Sequence, residues 1–337
     1  ERRRVDRVQM AMRLVRWLLD SKTSNEFSSP GSLAEASLGY LREGGFVDWA
    51  RLTLRSGDPV RELSESYAKL FDQATAICET RSQQFAMLLK DWTVSHVSDS
   101  VVIPVEEMLD RIVAPLAENR PLLVIVMDGM SVAVLRELMD DVLGDDWLLL
   151  AEENIGLRCG LATLPSVTEV SRTSLLCGTL SQGASSNEKI GFAKHPGLVS
   201  ACRSTHPPIL FHRKIVGVVV NAVDDHLLKG EQIDTRWTRD EIKVLPALLR
   251  EAKMSRRTVI LLSDHGHVLD CNAKGRSAEG GERWRVDADG PGAGEIQVSG
   301  PRVLIPESKK FPNSETTAKI IAPWTEKLRY GIKKNGY

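Results

Sequence analysis

Apolar residues recur at spacings of three and four in the first third of the chain, and this period predicts helices. In residues 1–20 the recurring positions are Val5, Val8, Met12, Val15 and Leu19. Ser32 and Glu35 form a capping-box pattern, which predicts a helix ending at Gly44–Gly45. Further helices are predicted over 48–54, 58–92 and 105–116. Residues 1–117 are therefore expected to form a smaller all-helical region that docks on, or links to, other parts of a longer chain.

The pattern changes at residue 121, where uninterrupted apolar runs replace the helical spacing. Runs at 122–127, 215–220 and 258–262 predict buried parallel strands, and 147–150 predicts a further short strand. Helical patterns over 132–142 and 239–252 separate them. Residues 118–337 are thus predicted to be an α/β domain, with a mostly parallel sheet and helices on both faces. The Gly-rich stretch 270–300 is expected to be a flexible insertion.

Composition and charge reduce the number of protein classes to which the chain can belong. The 337 residues are 42% hydrophobic and 26% charged, as in ordinary globular proteins, and the net charge of −1 provides no basic field for nucleic acid. No apolar run is long enough to span a bilayer, so no membrane is expected. The five cysteines are far apart, which predicts a reducing cytoplasm and excludes a zinc ribbon. The chain begins at Glu1 without a signal-peptide pattern, and we expect it to be a segment of a longer cytoplasmic protein.

Acidic residues follow three of the predicted strands. Asp128 follows the first, Asp224 and Asp225 follow the run at 215–220, and Asp264 with His265 follows the run at 258–262. The carboxyl ends of parallel strands meet at one edge of a sheet, where open α/β sheets bind their ligands. Carboxylates in such proximity repel each other unless a positive charge lies between them. The pattern therefore predicts a divalent metal site, because Asp and His are suitable ligands.

A loop rich in hydroxyl groups precedes a predicted helix in residues 160–178. It contains Thr163, Ser166, Thr168, Ser171, Thr173 and Ser174. A hydroxyl at a helix N-terminus beside bound metal can be deprotonated and can attack phosphorus. The positive end of that helix and Arg172 would favour an anionic substrate. A simple cap and turn is the competing interpretation of this loop.

Together, the motifs at 126–131, 164–172, 220–225 and 263–268 resemble the PglZ family of the alkaline phosphatase superfamily. Proteins of that family belong to BREX and phage growth limitation systems, which defend bacteria against phage. The resemblance covers about residues 116–337, and the stretch 45–51 is also similar to the region preceding a PglZ domain. It implies an alkaline phosphatase-like core. Cys159 does not begin the sulfatase pattern, so the sequence gives no support for that branch of the superfamily.

The resemblance implies a role for each matching residue. Asp128, Thr168, Asp264 and His265 would surround one metal ion, with Thr168 as the nucleophile. Asp224 would hold a second ion. The expected cofactors are two divalent cations, zinc first and manganese as the alternative.

The chain departs from the superfamily pattern at the second metal. A His is common four residues after the Asp224 position, but Leu228 stands there. His226 lies two residues too early, and Asp225 is the alternative substitute. A late His of the family would follow directly after Tyr337, so the chain is expected to stop one residue short of that ligand. His267 is expected to be either an extra ligand or a neighbour that supports the ligands.

These features predict a metal-dependent hydrolase of phosphoric esters, either a phosphatase or a phosphodiesterase. Two alternatives remain: a catalytically degenerate scaffold in a defence complex, which the Leu228 departure favours, and a metal-dependent nuclease. The expected partners are a phosphoester substrate and other defence proteins, with nucleic acid as a further candidate.

Overall fold

The computed structural model describes residues 2–23, 29–95, 101–144, 147–150, 158–203, 214–228, 235–268, 273–286, 289–309 and 319–331. One of the five cysteines, Cys271, lies outside these ranges. None of the described cysteines forms a disulfide. No described helix combines the length and apolar character needed to cross a membrane.

The N-terminal part is helical, as predicted, but the expected all-helical region over 1–117 is wrong at 102–104, which form a short strand paired with 159–161. Its helices are α1 (Arg2–Thr23), α2 (Leu33–Gly39), α3 (Gly45–Arg55) and α4 (Arg61–Ser95), with a π-helical turn (Tyr40–Gly44) joining α2 to α3. The Ser32 hydroxyl accepts a hydrogen bond from the Glu35 N–H and begins α2. The Glu35 carboxylate caps the N–H of Gly31 rather than that of Ser32. The helices share an apolar core that includes Leu14, Val47 and Tyr67.

The predicted helix end at Gly44–Gly45 is wrong, because the helical backbone continues through both glycines into α3. Gly45 has an ordinary helical φ of −61°. A methyl group at Gly45 would lie 2.4 Å from Cγ1 of Val132 in the α/β part. The glycine therefore permits a close approach of two helices and does not end one.

The elements that follow lead into the sheet. They are β1 (Val102–Pro104), a 3-10 turn (Val105–Glu107), a π turn (Leu109–Val113), α5 (Ala114–Asn119), β2 (Leu122–Met127), α6 (Val132–Val142), β3 (Cys159–Leu161), α7 (Thr168–Cys177), α8 (Ser185–Lys194) and α9 (Pro196–Arg203). The strand predicted over 147–150 is wrong: these residues form irregular backbone, and Leu148 is 86% exposed. A short apolar run gives no information on whether a neighbouring strand is present to pair with it.

The remaining elements complete the described sheets. They are β4 (Ile215–Val220), α10 (Ala222–Leu228), α11 (Leu245–Met254), β5 (Thr258–Ser263), β6 (Lys274–Arg276), β7 (Arg285–Val286), β8 (Glu295–Ser299), β9 (Lys319–Pro323) and β10 (Leu328–Tyr330). The stretch 270–300, expected to be a flexible insertion, thus contributes β6, β7 and β8. β7, β9 and β8 form an antiparallel sheet. A buried ion pair between Arg285 and Glu295 (2.8 Å) stabilises this part.

The central sheet is parallel, with β2 between β4 and β5. Alternate residues of β2 pack on opposite faces. Ile125 lies in a core with α6, α10 and α11, whereas Val124 lies in a second core with α7, α9 and the turns before α5. The prediction of a parallel sheet with helices on both faces is confirmed. Only β2 is fully buried, because β4 and β5 form the edges of the sheet in the described residues.

The helical part contacts the α/β part directly. Arg136 of α6 donates hydrogen bonds to the carbonyl oxygens of Leu41 and Arg42. Arg51 of α3 pairs with Glu326. The Arg136 hydrogen bonds hold the π-helical turn that leads into α3 against α6, and α6 begins four residues after Asp128.

Candidate metal centre

The turn between β2 and α6 places the first acidic residue. Asp128 is buried, and its N–H donates a 3.0 Å hydrogen bond to the Val220 carbonyl at the end of β4. Gly129 has a positive φ of 71°, which a residue with a side chain adopts only with strain. Ser131 then caps α6 by accepting a hydrogen bond from the Val134 N–H. The Asp128 carboxylate is thereby fixed at the carboxyl edge of the central strand.

The end of β5 places Asp264 and His265 beside Asp128. Both side chains are buried. Asp264 Oδ1 accepts hydrogen bonds from the backbone N–H of Gly129 (3.1 Å) and that of His265 (3.0 Å). Asp264 Oδ2 is also buried, and no group among the described residues donates a hydrogen bond to it. A buried carboxylate oxygen without a donor is costly, and a cation can stabilise it.

The imidazole of His265 is oriented by its own neighbourhood. Nδ1 lies 2.9 Å from the carbonyl oxygen of Gly266, which can only accept, so Nδ1 carries the hydrogen. In the neutral ring Nε2 then presents a lone pair. Nε2 lies 3.6 Å from Asp128 Oδ1 and 3.6 Å from Asp264 Oδ2. This is the tautomer that a histidine needs for binding a metal through Nε2.

Thr168 lies at the same point, as the first residue of α7. Its Oγ1 donates to Asp128 Oδ1 (3.2 Å) and lies 3.0 Å from His265 Nε2. Thr173, another hydroxyl of the stretch 160–178, instead donates to the Gly183 carbonyl. The structure therefore brings Thr168, and not Thr173, to the acidic cluster.

The three buried side chains fit a divalent cation. One ligand atom from each of Asp128, Asp264 and His265 lies within 4.8 Å of the others. Burial raises the pKa of Asp264, the His265 ring opposes this effect, and the nearby Asp128 carboxylate adds to it. Two carboxylates and one imidazole are typical ligands of zinc and manganese. The cluster could hold one metal ion, as the strand-end pattern predicted.

Arg172 lies one helical turn after Thr168 and faces the same carboxylates. Its Nη1 donates to Asp128 Oδ2 (2.6 Å), and its Nε donates to Glu188 Oε1 (3.0 Å). Burial would lower the pKa of Arg172, but Asp128 and Glu188 raise it above the ordinary value. Glu188 was missed from the sequence, because it lies in a polar stretch without a strand or motif. It anchors the guanidinium beside the cluster.

Asp224 lies near the Gly129 turn. A methyl group at Gly129 would lie 3.7 Å from Asp224 Oδ1 and 3.7 Å from His265 Cε1. Asp224 is therefore close to the cluster, although it is not one of the three residues whose ligand atoms converge.

The structure places the other three candidates differently. Asp225 is exposed on α10. His226 lies 3.6 Å from Glu241 and packs edge-on against Trp237, so it is not brought into the cluster. His267 Nδ1 lies 2.7 Å from the Gly129 carbonyl, and burial lowers its pKa. His267 thus supports the turn that positions Asp128, which is one of the two roles expected for it.

Comparison with known proteins gives no family. No model of a known protein family matches the sequence, and a search of curated proteins finds no match.

Proposed function

We propose that this protein is a metal-dependent hydrolase of phosphoric esters, with Thr168 as its nucleophile. The observation that carries the proposal is the position of Oγ1, between Asp128 Oδ1 (3.2 Å) and His265 Nε2 (3.0 Å). A threonine at the start of a helix needs no such neighbours for capping. Its contact with two candidate ligands instead supports a role in nucleophilic catalysis.

Each residue has a distinct part in the proposed reaction. Thr168 Oγ1 attacks phosphorus while its proton passes to Asp128 Oδ1, the atom that already accepts its hydrogen bond. The bond from phosphorus to the leaving oxygen breaks, and the leaving group departs as an oxyanion that takes up a proton from solvent. Water later hydrolyses the phosphothreonine, which restores the Thr168 hydroxyl and releases the phosphate, while Asp128 returns its proton to solvent. A divalent cation held by Asp128, Asp264 and His265 would supply Lewis-acid stabilisation of the negative charge.

Two features favour an anionic substrate. α7 is ten residues long, and Thr168 is at its N-terminal end, which carries the positive end of the helix dipole. Arg172 is fixed by Asp128 and Glu188 and carries a full positive charge. Together they would orient phosphoryl oxygens for attack by Thr168.

The finer assignments extend this proposal. Asp224 would hold a second divalent ion, with zinc as the expected metal and manganese as the alternative. The resemblance to the PglZ family supports action within a bacterial defence system, together with other proteins of that system. These assignments rest on the motifs and on the nearness of Asp224 to Gly129.

A scaffold without catalysis is the second candidate, and one observation favours it. Leu228 occupies the place of the expected second-metal histidine, and His226 contacts Glu241 instead. A protein with one incomplete metal site could function only by binding other proteins through its surface.

The test is hydrolysis of aryl phosphate monoesters and diesters with added zinc or manganese. Wild type is compared with Thr168→Ala, and the matched control is Ser166→Ala, which removes an exposed hydroxyl from the same loop. We expect activity in wild type and in Ser166→Ala, and a loss of at least about 100-fold in Thr168→Ala. Equal activity in all three would remove Thr168 from its role. Inactive protein that retains no metal, as measured by mass spectrometry, would favour the scaffold.

A further inference from the structure

The apolar residues whose spacing predicts α1 lie on its exposed face. Val5, Val8, Met12 and Val15 are between 40% and 68% exposed, and Leu19 continues the same spacing. The buried face of α1 is a different set, which packs into the helical core: Met10, Ala11, Leu14, Trp17 and Leu18. α1 therefore has two apolar faces, and in the described part of the chain only one of them is covered. We name the exposed face, formed by Val5, Val8, Met12 and Val15, the α1 seam.

The spacing of the α1 seam is that of a coiled coil. Its residues are separated by three, four and three positions, which is the alternation of heptad positions a and d. At 100° per residue they occupy an arc of about 80°, and the seam is about 15 Å long. A helix that lies in a membrane surface needs a wider apolar face, commonly with aromatic residues. Here the only tryptophan of α1, Trp17, is on the buried face.

Basic side chains border the α1 seam. Arg4 and Arg16 occupy the flanking g and e positions, where coiled coils select their partners by charge. Arg4 is paired with Asp58 at 3.1 Å. Arg16 is exposed and forms no ion pair with the residues that the structure describes. A second copy of α1 would add arginine to this border, whereas acidic flanks would complement it.

We infer that the α1 seam binds an amphipathic helix of another protein, which has apolar a and d positions and glutamate or aspartate at the flanking positions. The inference is independent of the proposed hydrolysis, because α1 contributes no residue to the metal centre. It gives the helical region, which was expected to dock, a defined surface and a defined class of partner.

Fluorescence anisotropy with a labelled synthetic helix tests the inference. The probe is a peptide of about 21 residues with Leu at a and d and Glu at e and g, and a second peptide has Lys at e and g. The full chain is expected to bind the Glu peptide at least about tenfold more tightly than the Lys peptide. Met12→Glu should weaken binding at least about tenfold, whereas Met254→Glu, which changes an exposed methionine of α11, should leave it unchanged. Equal binding of both peptides, or an equal effect of both variants, would overturn the inference.

Two controls test the competing occupants. Sedimentation velocity of wild type and Met12→Glu would reveal a dimer held by the seam, and vesicles with anionic headgroups would reveal membrane binding. We expect that wild type and Met12→Glu are both monomers and that neither binds the vesicles. A dimer that Met12→Glu dissociates, or vesicle binding that it abolishes, would assign the seam to that occupant and overturn the inference. Circular dichroism is expected to show unchanged helix content, because Met12 is exposed.

Discussion

The hydroxyl of Thr168 lies 3.0 Å from Nε2 of His265, although 97 positions separate the two residues in the sequence. The contact requires the start of α7 to be fixed against the end of β5. Ser171 supplies the connection. Its buried Oγ donates a 2.6 Å hydrogen bond to the Asp264 carbonyl and accepts another from the Thr163 N–H.

Ser171→Ala should therefore loosen the position of Thr168 without removing any reacting group. We expect kcat on an aryl phosphate to fall about tenfold with little change in KM, because a misplaced nucleophile costs rate more than binding. The loss of both hydrogen bonds should also reduce the free energy of unfolding by about 1–3 kcal/mol.

Ser174→Ala is the matched control for that experiment. Ser174 is buried on the same helix, and its Oγ donates to the Ser181 carbonyl at 2.9 Å, away from the metal centre. It should lose similar stability but keep its kcat. An equal fall in kcat in both variants would mean that the effect comes from loss of stability, and Ser171 would have no positioning role.

Asp264→Asn is expected to raise the stability of the metal-free protein and to lower that of the metal-bound protein. Burial raises the pKa of Asp264, so an ionised carboxylate at that place destabilises metal-free protein. Asparagine removes the charge, and the Tm of metal-free protein should rise at about pH 8. Wild type at zinc concentrations about 100-fold above Kd should gain about 2.7 kcal/mol, and the variant should gain much less.

Asp225→Asn provides the comparison, because Asp225 is an exposed carboxylate on α10. In this variant, zinc should raise the Tm by as much as it does in wild type, as measured by thermal denaturation. If both variants retained the full zinc-induced shift, Asp264 would not be a ligand. If both lost it, the ligand set would extend to α10.

Gly45→Ala and Gly39→Ala should change stability in opposite directions, although both replace a glycine within one continuous helical run. The new methyl group at Gly45 would lie 2.4 Å from Val132 Cγ1, whereas one at Gly39 would have no atom of the described residues within 4 Å. We expect Gly39→Ala to raise the free energy of unfolding by about 0.5–1 kcal/mol. Gly45→Ala should lower it by about 1–3 kcal/mol, through overpacking.

Urea denaturation of the two variants beside wild type measures both changes. A stabilised Gly45→Ala variant would show that α3 and α6 can separate at no cost. The contact between the helical and α/β parts would then be weaker than the packing of Gly45 indicates.

The sequence was sufficient to predict those parts of the fold and of the site that depend on the local spacing of apolar residues and on the geometry of a parallel sheet. β2 was predicted because a strand buried on both faces is continuously apolar, and Asp128, Asp264 and His265 converge because parallel strands end at one edge. The convergence of Thr168 with them is a long-range contact. The order of the motifs along the chain led us to expect this contact, and it is present in the folded structure.

Features that depend on neighbouring elements were not predictable in the same way. The period of α1 indicated a helix but not that its most regular apolar face would be exposed. The role of Glu188 as an anchor for Arg172 depends on α8 folding against α7, and the polar stretch around it contains no signal for that contact. Gly45 carried a helix-end signal, whereas its actual role is set by Val132 in a distant part of the chain.

The last prediction concerns pH and the contact between α3 and α6. Burial raises the pKa of Glu137 on α6 to about 7, although hydrogen bonds from the Trp237 N–H and from the Trp49 side chain, and the charge of Arg236, act to lower it. Below about pH 4.5 the carboxyl is protonated in both folded and unfolded protein. Between about pH 4.5 and pH 7 the folded state retains a proton that the unfolded state has lost.

The free energy of unfolding should therefore fall as pH rises through that range, by at most about 3 kcal/mol, and the loss should persist above it. Glu137→Gln keeps a hydrogen-bond acceptor for Trp49 and Trp237 but does not ionise, so its stability should be nearly constant over the same range. Urea midpoints at about pH 5 and about pH 8 measure the difference. An equal fall in wild type and variant would assign the pH dependence to another group and leave Glu137 with an ordinary pKa.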